Sequence, residues 1–150
     1  MTGEELYLEY CRAKGLEEQT QAPDIEFFGD EPGLAGRLLE LILCGRKRAT
    51  CWACLDTEPP ASGSLTVVTG WDGEAGCIIE TVRARRMKFS EMTWELARLE
   101  GEDERFETWR EGHIRFFTEE GKREGYAFSE NMEIIFEEFK VVWPEECVDA

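Results

Sequence analysis

Basic residues are scarce in this sequence. Seventeen Lys and Arg stand against 33 Asp and Glu, which gives a formal net charge of −16 and a pI near 4.5. Such a field repels phosphate at long range and argues against broad, nonspecific adhesion to nucleic acid or to an anionic membrane surface. Histidine is nearly absent, His113 being the only one, so a His-Glu-x-x-His zinc helix is excluded. The chain also has no glycine-rich phosphate loop, no nucleophile elbow, no internal repeat and no low-complexity tract. No apolar run approaches the length of a membrane span. The first residues, Met1-Thr2-Gly3-Glu4-Glu5, are acidic where a secretory signal is basic and then apolar, so the cytoplasm is the expected compartment.

What is present suits one globular domain. A hydrophobic content of 42% with five Trp and nine Phe in 150 residues is enough to bury a sizeable core. Six cysteines, Cys11, Cys44, Cys51, Cys54, Cys77 and Cys147, are expected to be thiols in a reducing compartment, most of them packed as small hydrophobes. Cys51-Trp52-Ala53-Cys54 has the spacing of a redox pair or of half a zinc site. It falls in a β-type run, however, where alternation sends the two thiols to opposite faces, and further ligands at zinc spacing are lacking. Buried thiols are the expectation there, and no metal ligand is assigned.

Along the chain, Thr2 and Glu5 form a capping box for a helix carrying Leu6, Tyr7, Tyr10 and Cys11 and ending near Gly15. Leu16 to Asp24 reads as a surface linker, and Ile25 to Phe28 as a short strand. Leu34, Leu38, Leu41 and Ile42 stripe a second helix, with Pro32 in its first turn and Gly45 as a left-handed C-cap. A strand starts near Ala49. The turn residues Glu58 to Ser64 precede a strand at Leu65 to Val68, and Asp72-Gly73 joins it in a hairpin to a strand running from Cys77 towards Phe89. Ser90 is placed to cap a short helix with Met92, Leu96 and Leu99. A helix from Arg105 to Lys122 presents Phe106, Trp109, His113, Phe116 and Phe117 on one face, and Ile134 to Trp143 is the last strand. Helices outside several short strands predict an α+β domain built on a small, partly closed β-barrel surrounded by helices.

Within this acidic chain the stretch Gly45-Arg46-Lys47-Arg48-Ala49-Thr50 stands out, three cations and a hydroxyl at a helix-to-strand turn. Side chains at such a turn can converge on a cleft, or the cations can merely complement the negative end of the helix dipole. Arg83, Arg85, Arg86 and Lys88 form the other basic window, although alternation splits them between two strand faces. The acidic run Glu100 to Glu104 reads mostly as solvated surface, with Glu100 beside Gly101 best placed to point somewhere specific. His113, on an aromatic helix face, reads either as a packing residue or as part of a site lining.

Gly45-x-Lys47-x-x-Thr50 behind a leucine-striped helix, the Glu100-Gly101 step, Trp109-Arg110-x-x-His113-x-x-Phe116-Phe117 and the turn Phe128-Ser129-Glu130-Asn131-Met132 together resemble the ASCH domain family of the PUA-like superfold, in its bacterial single-domain branch. The likeness runs from about Glu26 to Trp143, dividing the chain into an extension at 1–24, the domain at 25–143 and an acidic tail at 144–150. It implies a cleft beside the Gly45–Thr50 loop that takes RNA or a nucleoside-type ligand. Some similar proteins are amidohydrolases acting on N4-acylcytidines, and others are ribonucleases that use Mn or Mg. By that resemblance Lys47, Thr50 and Glu100 would be catalytic, and no cofactor is certain. A lysine desolvated in its site can activate the threonine hydroxyl, and Glu100 can protonate the leaving group or orient Lys47. Gly45, Arg46, Arg48, Trp52, Trp109, Arg110, His113 and Ser129 are the expected ligand-binding residues, with Trp52 or Trp109 stacking a base. Glu102-Asp103-Glu104 departs from related sequences, which often carry a second glycine there. A non-enzymatic reader of RNA or of a modified base, and an acidic protein-interaction domain, are the alternatives.

Overall fold

The computed structural model describes residues 1–16 and 23–148; most of the linker expected at Leu16 to Asp24 lies outside them. Local signals set the first helix, α1 (Gly3–Lys14). The Glu5 amide donates to Thr2 Oγ1 at 3.1 Å, the Thr2 amide donates back to Glu5, and Gly15 closes the helix at φ +66°. β1 is Asp24–Glu26, shorter than the expected Ile25–Phe28. In α2 (Pro32–Leu43) the Glu31 carboxylate caps the Leu34 amide and Pro32 occupies the first turn. Cys44 is the cap residue itself, and Gly45 follows in the left-handed region at φ +83°.

The remaining elements are β2 (Ala49–Ala53), β3 (Leu65–Thr69), β4 (Ala75–Lys88), α3 (Trp94–Ala97), α4 (Phe106–Glu124) and β5 (Glu133–Trp143). Ser90 does not cap α3. It lies inside a single 3₁₀ turn at 89–91, Thr93 is the N-cap, and a second such turn at 98–100 carries the chain into Gly101. The five strands form one curled sheet in the order β1-β3-β4-β5-β2, a half-barrel with the helices around it. β1 runs parallel to β3 and the other pairs are antiparallel.

Two features of the sequence explain the sheet. Val67-Val68 and Cys77-Ile78-Ile79 are continuously apolar because helices cover both faces there. Val67 and Ile78 pack with Leu6, Tyr7 and Cys11 of α1, while Val68, Cys77 and Ile79 pack with Ile42 of α2. At the other end, Ile134 and Phe136 of β5 join Phe89, Trp109 and Phe117 in a third cluster under α4. β4 spans both ends, and its pairing with β5 shifts register between Thr81 and Arg83.

Candidate functional site

The loop after α2 is fastened from three sides. The amides of Arg46 and Lys47 both donate to the Leu41 carbonyl at 3.0 Å, the Arg48 amide donates to the Leu99 carbonyl at 2.8 Å, and the Phe139 amide donates to the Arg48 carbonyl at 3.0 Å. The second bond ties the Lys47 loop to the turn that carries Glu100. Gly101 makes that junction possible. Its φ is +72°, and a Cβ there would lie 2.3 Å from the Arg46 carbonyl oxygen, so only glycine admits both the conformation and the contact.

Lys47 is 2% exposed, and its ammonium donates to the Ala49 carbonyl at 2.9 Å and to Glu102 Oε2 at 2.6 Å. Glu100 is 1% exposed and pairs instead with His113, Nε2 lying 2.9 Å from Glu100 Oε1. The other imidazole nitrogen, Nδ1, lies 2.8 Å from the Trp109 carbonyl, which can only accept, so Nδ1 carries a proton. Burial would raise the Glu100 carboxyl, but the charge and hydrogen bond of His113, with Lys47 nearby, outweigh it and hold the group at about 2. Burial likewise opposes the His113 cation, and Glu100, aided by Glu102, more than offsets it, raising the imidazole above its ordinary value. The result is a buried carboxylate–imidazole pair. Glu100 Oε2 is left without a hydrogen-bond partner among the described residues.

Lys47, Thr50, Cys51, Trp52, Glu100 and His113 line one cleft of about 1000 Å³, closed by the α2 side with Phe28, Leu34 and Arg37 and by Phe116 on α4. Its walls hold eight carboxylates, Glu100, Glu102 and Glu137 among them, against Arg37, Lys47 and Arg115. Burial raises the Glu137 carboxyl, although Thr81 Oγ1 donates to it at 2.5 Å. Cys51, pushed well above the ordinary thiol range by burial and then by Glu100, sits beside the pair.

A family model for the ASCH domain matches residues 24–143. The chain belongs to the ASCH domain family. That family is associated with RNA binding. Two solved structures support the placement. The ASCH domain from Lactobacillus crispatus JV V101 is 29% identical with a TM-score of 0.81, over 93% of this chain and 92% of that one. A protein from Enterococcus faecalis V583 is 27% identical with a TM-score of 0.83, over 93% and 86%. No curated protein matches the chain. Among the described residues no helix of this ASCH protein is long and apolar enough to cross a membrane.

The ASCH fold gathers Lys47, Thr50, Glu100, Trp52 and His113 but not every expected ligand residue. Trp109 is fully buried, stacked between His113 at 3.9 Å and Phe89 at 5.6 Å, and offers no face to a base. Arg110 pairs with Glu130 at 2.9 Å, and neither it nor the exposed Ser129 and Arg46 lines the cleft. Gly45 and Arg48 line a second cleft of about 600 Å³ behind Lys47. The basic window of β4 stays apart too: Arg83 pairs with Glu138, and Arg86 with Glu58 and Glu133. The two basic windows therefore do not join, and the cleft is acidic with one buried lysine at its edge. Glu102, not Glu100, holds Lys47, and Cys51, whose CxxC spacing was set aside in favour of a packed thiol, is at the site. The signal for Glu102 was the departure from glycine in Glu102-Asp103-Glu104.

Proposed function

We propose that this ASCH domain takes a nucleoside-type ligand, an unpaired base of RNA or a free nucleoside, into the Lys47–Thr50–Glu100 cleft and hydrolyses an acylamide on it. The observation that carries the reading is the convergence of those three side chains with half-buried Trp52 and Phe116 in a cleft whose walls are acidic. Acidic walls disfavour a run of phosphates and suit a neutral base with donor edges. Glu100 is ionised at rest, so its open oxygen accepts from a ligand N–H rather than donating. Two of the three Lys47 protons are engaged by Ala49 and Glu102, and the third serves the oxygen of the scissile carbonyl. In the reaction the Thr50 hydroxyl attacks that carbonyl, the C–N bond breaks, and Glu100 passes the Thr50 proton to the leaving nitrogen. Water then releases the acid from Thr50.

Incubation with N4-acetylcytidine and, separately, with a labelled single-stranded RNA, each with Mn²⁺ or EDTA, tests this. Deacylation that persists in EDTA and disappears in Lys47→Ala and Glu100→Gln is expected. Cleavage of RNA that requires Mn²⁺, with the nucleoside intact, would replace the proposal by ribonuclease chemistry. A second reading, a reader without catalysis, is favoured by the hold that two protein acceptors, Ala49 and Glu102, already have on Lys47. Both substrates intact at high protein concentration, with measurable binding, is its signature.

A further inference from the structure

Cys51, Glu100 and His113 come from β2, the 98–100 turn and α4, yet their sulfur, carboxylate oxygen and ring nitrogen lie within 4.8 Å of one another. Two further observations give this trio a purpose. Glu100 Oε2 is buried without a partner among the described residues, a costly arrangement for a carboxylate unless something else completes it. The His113 ring is fixed by its far nitrogen, Nδ1 donating to the Trp109 carbonyl while the ring stacks on the indole, which directs Nε2 inward. Metal-binding histidines are held in this way, by a carbonyl or carboxylate on the nitrogen that does not ligate.

We propose that Cys51, Glu100 and His113 form a zinc site with a fourth position open to the cleft. One sulfur, one nitrogen and one carboxylate oxygen are a borderline-soft donor set that suits Zn²⁺, whereas Mg²⁺ and Mn²⁺ prefer oxygens alone. Three protein ligands leave a coordination position for water or a ligand atom. Binding requires the Cys51 thiolate and a His113 Nε2 free of its proton, so entry of the ion releases protons. The neighbouring Lys47–Glu102 pair is itself neutral in sum. The site does not rest on the nucleoside reading; it shares Glu100 with it, and an ion there would occupy the oxygen that reading assigns to the ligand, so ion and nucleoside would compete for the cleft.

Titration of the metal-stripped, phosphine-reduced full chain with Co²⁺ and then Zn²⁺, without any nucleoside or RNA, tests the site. One equivalent of Co²⁺ is expected to give a thiolate-to-cobalt charge-transfer band that Zn²⁺ abolishes. Cys51→Ser should remove the band and weaken Zn²⁺ by more than the roughly 10–100-fold that loss of an outer-shell partner costs, while Cys54→Ser leaves both unchanged. If Cys51→Ser does not fold, protection of Cys51 from alkylation by Zn²⁺, read by peptide mass in the unmodified sequence, replaces it. Absence of the band, its survival in Cys51→Ser, or alkylation of Cys51 unaffected by Zn²⁺ overturns the proposal.

Discussion

Replacing Gly101 by alanine attacks the joint on which the site depends. The backbone at Gly101 has φ +72°, where a Cβ costs about 1–2 kcal/mol. The same Cβ would stand 2.3 Å from the Arg46 carbonyl oxygen and 2.9 Å from the Lys47 nitrogen, atoms of one peptide unit whose position is fixed by the Arg46 and Lys47 amides donating to the Leu41 carbonyl, so that it cannot yield cheaply. Overpacking of that kind adds about 1–3 kcal/mol. A total near 3 kcal/mol lowers Tm by roughly 6–12 °C in a chain of this size. Gly36 supplies the control. It lies in α2 with open space around the position of its Cβ, so Gly36→Ala should stabilise by about 0.5–1 kcal/mol. Both variants are read by thermal and urea melts. If Gly101→Ala melts within a degree of the parent while Gly36→Ala behaves as expected, the Glu100 turn is not pinned to the Lys47 loop and the geometric argument fails.

The Lys47–Glu102 pair should respond asymmetrically. The Lys47 side chain is 1% exposed and that of Glu102 21%, so Glu102→Gln strands a buried ammonium and should cost about 3–5 kcal/mol. Lys47→Met, which frees a carboxylate already in reach of water, should cost clearly less in urea melts; equal losses would contradict the burial argument. Stability should also vary with pH through Glu100 and His113. The Glu100 carboxyl falls from its ordinary 4.5 to about 2 on folding, so its contribution is present above about pH 4.5 and lost as pH drops through 2. His113 is raised from its ordinary 6.5, so its contribution is complete below that value and lost as pH climbs through the folded-state value. The difference in Tm between the parent and His113→Gln, measured in EDTA, should therefore be largest between about pH 4.5 and 6.5 and shrink on both sides.

Much of the scaffold was legible because its signals are local. The Thr2–Glu5 capping box, Pro32 in the first turn of α2 and the apolar stripe of α4 each act within a few residues, and each element formed where they stand. Ser90 misled because the chain makes two tight 3₁₀ turns around α3, and a serine is as compatible with the first as with a cap. The site was harder to read. The Gly101 step marked Glu100 as the carboxylate that turns inward, but the lysine and its actual acidic partner are separated by 55 positions, and nothing short-range tells that Glu102 reaches it. Strand alternation separated Cys51 from Cys54 but gave no hint that α4 would bring a histidine to Cys51. The aromatic spacing of α4 placed Trp109 and His113 on one face; only packing settled that the indole lies beneath the imidazole, out of reach of any ligand.

The cleft draws its walls from α2, β2, the turn after α3, α4 and β5, elements that otherwise belong to separate packing clusters. A molecule bound there bridges parts of the chain that must come apart when it denatures. Occupancy is thus linked to the global folding equilibrium rather than to the opening of one loop. At a ligand concentration of 100 times Kd that linkage amounts to about 2.7 kcal/mol, a rise in melting temperature of roughly 5–11 °C for a chain of this size. A thermal-shift screen of bases, nucleosides and metal ions would register any true occupant, whether or not a reaction follows binding.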